Sequence, residues 1–197
     1  YNSLNNERLQ FKDEKQDAYR NLSSSLTFTY RNKIFNTHSV SFNYSNHRVT
    51  DSILILNNNY LTKNDKQLEY IQFSYDFKSD KRDSRNYPLE GSFWKARLTQ
   101  YGLGILSNLS LFNLDLEAKK YIELRPRLYL AGGIRAILTP NSNQPYLLRN
   151  GLGYSSFGIR SYEYYVIDGQ SMGLSRAQVR FQLIQPKSID LKGISQR

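Results

Sequence analysis

The feature that most constrains this chain is a two-residue alternation of apolar and polar side chains, repeated in about seven segments of roughly ten residues each. Leu22, Leu26, Phe28 and Tyr30 share one parity, and Ser23, Ser25, Thr27, Thr29 and Arg31 the other. The pattern returns with Val40, Phe42 and Tyr44, then with Ile71, Phe73, Tyr75 and Phe77, and then with Trp94, Ala96 and Leu98. It continues through Phe112, Leu114, Leu116 and Ala118, through Leu128, Leu130, Ile134 and Leu138, and finally through Ala177, Val179, Phe181 and Leu183. Successive side chains of a strand point to opposite faces, so each segment is expected to be a β-strand with one apolar and one polar face.

A soluble sandwich alternates too, so the period alone leaves two architectures open. Three features favour a membrane β-barrel. The segments are longer than the five or six residues usual for strands of small soluble domains. Charged residues such as Lys95, Arg97, Asp115, Glu117 and Lys119 sit inside the alternation, on the face that would line a wet lumen. Connections alternate between short and long, and Tyr30, Tyr60, Tyr75, Tyr101 and Tyr121 are expected near strand ends, as an aromatic girdle requires. The low mean hydropathy of −0.63 agrees with strands that show only every second residue to lipid. There is no apolar run of about 18 residues, so no transmembrane helix is expected.

Composition excludes several functions. The chain has no cysteine, which rules out disulfides, thiolate metal sites and a cysteine nucleophile. Its two histidines, His38 and His47, have no neighbouring ligand pair, so neither a metal site nor a Ser-His-Asp triad is expected. Gly151-Leu152-Gly153 lacks the third glycine and following helix of a dinucleotide loop. No cofactor and no catalytic residue are expected, and the protein reads as a non-enzyme. The net charge is +10, but the 27 basic residues are spread singly or lie beside acids, as in Lys78-Ser79-Asp80-Lys81-Arg82-Asp83. This pattern fits a charged lumen or contact with anionic lipid head groups better than nucleic-acid binding.

Seven strands do not match the even number with which bacterial barrels normally close, and an open edge in lipid leaves backbone groups unpaired. Residues 1–197 are therefore expected to be a fragment of one β-barrel domain. The chain starts at Tyr1 with no leader-like segment, so an envelope protein is expected to have lost its start by processing or truncation.

Two motifs carry a family resemblance. Tyr87-Pro88-Leu89-Glu90-Gly91-Ser92 resembles the Pro-x-x-Gly periplasmic turn, and Gly158-Ile159-Arg160-Ser161-Tyr162 resembles the Val/Ile-Arg-Gly-Phe/Tyr motif of a surface loop, both found in the outer-membrane assembly-factor superfamily. This superfamily, also called the bacterial surface antigen family, includes BamA-like and TamA-like barrels and two-partner secretion transporters. The similarity extends from about Leu22 to Pro186, and the run Tyr162 to Gln170 is similar to members from Bacteroidota-type bacteria. The resemblance implies a partial antiparallel transmembrane β-barrel, with these strands the sixth to twelfth of sixteen, in the bacterial outer membrane. The periplasmic domains and the remaining strands would lie outside this chain.

The implied function is insertion of outer-membrane proteins or their translocation. The implied partners are outer-membrane lipids, unfolded outer-membrane protein substrates and accessory assembly subunits, with no nucleic acid. By the resemblance, the surface loop folds into the lumen with Arg160 as its anchor, while Gly158 and Tyr162 shape its tip. A guanidinium suits this role because it stays charged and presents five donors in a fixed fork. Two positions depart from the family pattern. Ser161 stands where a glycine is usual, and Gln182, the implied partner of Arg160, stands where a glutamate is common. A passive pore, a dedicated two-partner secretion channel and a soluble all-β binding module stay open as alternatives.

Overall fold

A computed structural model of the protein describes residues 19–61, 65–140, 144–149, 151 and 166–183. Its strands are β1 (Tyr19–Asn32), β2 (Asn36–Val49), β3 (Gln67–Asp80), β4 (Gly91–Tyr101), β5 (Leu111–Arg125), β6 (Leu128–Leu138) and β7 (Met172–Phe181). They form one antiparallel seven-stranded sheet in sequence order, β1-β2-β3-β4-β5-β6-β7. The strands run 10 to 15 residues, enough to cross a hydrocarbon layer at a tilt. The all-β architecture and the antiparallel order of a β-barrel wall are as expected from the alternation.

The register puts the expected parities on common faces. One cross-strand row runs Phe28–Val40–Tyr75–Leu98–Leu114–Leu138, and the next inward-facing row includes Thr29, Ser39, Asp76, Arg97 and Asp115. The apolar face is open, with Phe28 61% and Val179 69% exposed. The polar face is the buried one, with Ser74 at 5%, Thr99 at 3% and Asp115 at 7%. From β2 to β7 the sheet curves toward its polar side, and the connections that fold over that side bury it further, so the polar face is the concave one. A contiguous outward face of Leu26, Phe28, Trp94, Leu116, Ile134 and Val179 far exceeds the apolar patch that a soluble monomer usually shows to water. It suits lipid.

The strand ends slip in one direction. The row through the β1–β2 turn, Asn32–Asn36, continues to Ser79, Trp94, Ala118 and Ile134. Strand β4 begins three residues past that row, at Gly91, and β6 begins six past it, at Leu128. Three residues at about 3.4 Å each per two strand spacings of about 4.8 Å correspond to a tilt of roughly 45°. This is the shear that a closing barrel needs.

The connections 33–35, 81–90 and 126–127 lie at one end of the sheet, the short-connection end after its two tight turns, and 50–66, 102–110 and 139–171 at the other, the long-connection end; 81–90, with ten residues, and 102–110, with nine, depart from the expected alternation of lengths. Three further details differ from expectation. The 50–66 segment is not all loop, because Asp51–Leu56 forms a helical turn and a half, α1. Strand β7 stops at Phe181, so Gln182 and Leu183 lie past it. The tyrosines do not form one girdle. Tyr75 sits in mid-strand opposite Val40 and Leu98, Tyr60 lies in a connection, and Tyr101 and Tyr121 face inward. Parity fixed their faces; heights along the axis depend on stagger, which the sequence pattern does not encode.

Leu116→Arg, on the outward face, is expected to weaken folding into lipid vesicles by about 2–4 kcal/mol, the mid-bilayer cost of an arginine. Asn43→Lys, on the concave face, is expected to change it by less than about 1 kcal/mol. Urea titration of the vesicle-bound full-length protein measures both, and equal losses would show the two faces to be misassigned.

Candidate functional site

Two structures on the concave side stand out: a turn folded inward at the short-connection end, and a cap of packed connections at the long-connection end. The turn follows from Gly91. Its φ is +103°, and a Cβ there would lie 2.1 Å from the Lys81 carbonyl oxygen. Only glycine fits. The Lys81 N–H donates to the Ser92 carbonyl at 2.8 Å and the Asp83 N–H to that of Glu90 at 3.2 Å, so the two arms of the connection lie against each other. The Leu89 N–H donates to the Asp83 carboxylate at 3.1 Å. Desolvation opposes the charge on Asp83, but the backbone donors around it together hold its carboxyl below the usual carboxylate range.

Pro88, inside this turn, is buried, and its carbonyl accepts a 2.6 Å hydrogen bond from Arg180 Nη1 on β7. The Arg180 guanidinium also lies over the Tyr87 ring at 4.6 Å and near Tyr121 at 5.7 Å. Gln178 Oε1 accepts from its Nη2 at 3.0 Å, which fixes the fork. The β3–β4 connection therefore leans across β5 and β6 to the far strand of the sheet. On the other side of the same turn, Arg82 pairs with Asp80 at 2.7 and 2.8 Å and lies 4.8 Å from the buried Phe93 ring. Lys78 and Lys119 approach the same ring at 5.7 and 5.2 Å, an assembly of cations around one aromatic ring.

Above the turn the wall carries paired charge. Arg135 on β6 grips Asp115 on β5 with two bonds of 3.0 and 2.9 Å, and Arg97 on β4 pairs with Asp76 on β3. Lys119 pairs with Glu117. Asp115 and Glu117 are thus wall ion pairs, as lumen lining should be, and not a pair of acids facing one substrate. Among the described residues no cluster of potential metal ligands occurs.

The cap is apolar. Val49, Leu61, Leu68, Tyr70, Leu109, Leu111 and Leu148 form the buried core, with Ile53 and Leu54 of α1 packed against it. Leu68, Tyr70 and Leu111 point from the concave face; the other members come from the three long connections or the strand ends. Two backbone bonds stitch the connections together, Tyr146 N–H to the Asn59 carbonyl at 3.0 Å and Leu147 N–H to that of Tyr60 at 2.9 Å. The short apolar stretch Ile53–Leu56, far too short for a membrane span, thus belongs to a helix over the barrel's mouth.

Comparison with known families matches residues 2–191 to the Omp85 superfamily domain. The chain belongs to the Omp85 superfamily. Members of this superfamily are bacterial outer-membrane proteins that insert or translocate other proteins, working with outer-membrane protein substrates and accessory subunits. Among curated proteins, no match is found.

The sites expected from sequence fare differently in this Omp85 chain. Pro88 and Gly91 lie in the turn just described, at the short-connection end. Gly158, Ile159, Arg160, Ser161 and Tyr162 lie outside the described residues. Gln182 sits just past β7, where its N–H donates to the Arg127 carbonyl at 2.9 Å and its own carbonyl accepts from Arg127 Nε at 2.9 Å. Sequence reasoning missed Arg180. Its inward parity was legible, but nothing in the sequence links it to a turn 92 residues away.

Two outcomes test this geometry. Arg180→Ala is expected to free the 81–90 connection, at a cost of about 1.5–3 kcal/mol for the charged hydrogen bond, so that a protease cuts near Tyr87 much faster; an unchanged cleavage rate refutes the clamp. Leu61→Asp places a charge in the dry cap, so the full-length protein is expected to show higher and noisier conductance in planar bilayers. The exposed Asn58→Asp serves as its control and should leave conductance unchanged.

Proposed function

We propose that this chain forms the central wall of a non-catalytic assembly-factor barrel in the bacterial outer membrane. Its strands would be the sixth to twelfth of sixteen, and the short connections would face the periplasm. The barrel would take unfolded outer-membrane proteins, with accessory subunits, and help their strands enter the bilayer or cross it. The observation that carries this reading is a family match over almost the whole chain, on a sheet whose outward face is apolar and whose concave face is charged.

The geometry adds weight on two counts. A passive pore needs an open lumen, whereas here three connections pack into an apolar cap over one mouth. A soluble module would not leave a sheet-wide apolar face in water. A dedicated secretion channel shares the wall and the cap, and a protein secreted alone by this barrel would favour it.

Arg160 is the proposed anchor of the long β6–β7 connection inside the lumen. Its acceptor would come from the inward wall, with Gln182 as the candidate nearest the short-connection end. Strand β7 is about 33 Å long at 3.3 Å per residue, so reaching Gln182 requires the loop to enter deeply. Arg160→Ala in the full-length protein is expected to reduce outer-membrane protein levels and increase permeability to large antibiotics. Arg160→Lys keeps the charge but not the fork and should recover only part of the function. Normal growth and normal outer-membrane protein levels in the alanine strain would sink the assignment.

A further inference from the structure

On the outward face, a groove of about 700 Å³ crosses β4 to β7. Ala96, Ala118, Ala136 and Gly173 form its floor, and Phe77, Trp94, Leu116 and Ile134 rise beside them. Its surface is almost wholly apolar, and its size falls within the range of about 300–1,000 Å³ of sites that hold discrete molecules. Two residues after Ala118, on the same face of β5, stands Lys120. It is exposed, and its cross-strand neighbours are Ser92 and Gly132. Among the described residues of β4 to β7 it is one of two charged residues on the outward face; the other, Arg125, stands opposite Leu128 at the end of β5, away from the groove.

The glycines here are unexplained by the fold. Neither Gly132 nor Gly173 has positive φ, and a Cβ at either would meet nothing within 4 Å. Each forgoes about 0.5–1 kcal/mol relative to alanine in a strand. A strand glycine marks a bulge, a tight bend or a place where something else approaches closely, and neither Gly132 nor Gly173 sits at a register shift. Height along the barrel says what. Trp94 stands three residues from the start of β4, and Lys120 five from the end of β5, both counted from the short-connection end. Tryptophan collects at the level of the head groups, and a lysine just inside that level extends its ammonium outward to them.

We propose that this groove is a binding site for a glycerophospholipid of the leaflet on the short-connection side. Its phosphate pairs with Lys120 beside Ser92 and Gly132, and one acyl chain lies along Ala118, Ala96, Ala136 and Gly173. The charge chooses the occupant. An apolar partner helix would leave the ammonium buried and unpaired, whereas a phosphodiester meets it at the right depth. This inference rests on the membrane-barrel reading above and goes beyond general contact with lipid, because it singles out one groove.

A diazirine analogue of leucine at Leu116, irradiated in native outer membranes, tests it by mass spectrometry of the full-length protein, with the same analogue at Leu26 as the control. A phospholipid adduct at Leu116 that survives detergent washing, with little at Leu26, is expected. Lys120→Gln should lower that adduct about five-fold, the weight of one lysine at a membrane surface. Gly173→Phe should abolish it, with heat-modifiable folding retained in both variants. Equal labelling at both positions, an adduct to another protein or to a lipid of the opposite leaflet, or indifference to Lys120→Gln overturns the site. If the protein does not fractionate with the outer membrane at all, the barrel reading itself fails.

Discussion

Backbone hydrogen bonding in a solvent that offers none is the constraint on which everything else here depends. In hydrocarbon every N–H and C=O must find a partner inside the protein, and a sheet does this by pairing strand with strand. A strand shows its side chains alternately to two sides, so one sequence must serve lipid and water in turn. The register keeps these obligations consistent over the whole sheet. Phe28, Val40, Tyr75, Leu98, Leu114 and Leu138 fall on one row because the ladders hold an unbroken register there; the one odd slip, between Glu123 and Arg125, lies at the very end of β5, where few residues follow it. A single odd slip would turn a whole strand inside out, placing ions such as Asp115 or Arg97 in lipid.

The same constraint explains where charge is tolerated. Inside, ions are abundant because they can pair across strands, as Arg135 does with Asp115 and Arg97 with Asp76. Outside, polar groups are few and some satisfy one another: His38 Nδ1 and Tyr75 Oη lie 2.8 Å apart across two strands. Lys120 breaks that economy on the outward face, beside Gly132 and at the end of the groove whose floor holds Gly173.

Local features were legible in the sequence and distant ones were not. Faces follow from parity, so the wall and its polarity could be read directly from Thr27, Phe28 and Thr29 or from Leu114, Asp115 and Leu116. Turns with strong backbone demands were also visible, since Pro88 and Gly91 act within their own few residues. The cap was hidden because it is built from three connections separated by scores of residues, none of which alternates. Leu61 looked like one apolar residue in a polar stretch, and it is buried in a cluster with residues distant in sequence, Leu109, Leu111 and Leu148 among them. Arg180 was hidden for the same reason. Its parity marked it as inward, but its partner belongs to another hairpin. Tyr75 shows the converse error: aromatic residues were assigned to strand ends by spacing, while the shear that sets height is a property of the whole sheet.

The inward turn and the cap together have a mechanical consequence. Strands β5 and β6 are joined to each other by a two-residue turn, yet the Arg180–Pro88 contact also bridges over them from β4 to β7. At the opposite end, Tyr146 and Leu147 bond to Asn59 and Tyr60, tying the β6–β7 connection to the β2–β3 connection. Each tie spans several strands, so flattening or splaying this part of the sheet must break non-covalent contacts at both mouths, in addition to ladder bonds. A barrel that admits a substrate strand has to open somewhere. The cross-ties make this wall a stiff segment, and in a ring of hydrogen-bonded strands strain imposed on a stiff segment is passed to the more compliant ones. In the assembly barrel proposed above, that stiffness would confine opening to strands that lack such ties.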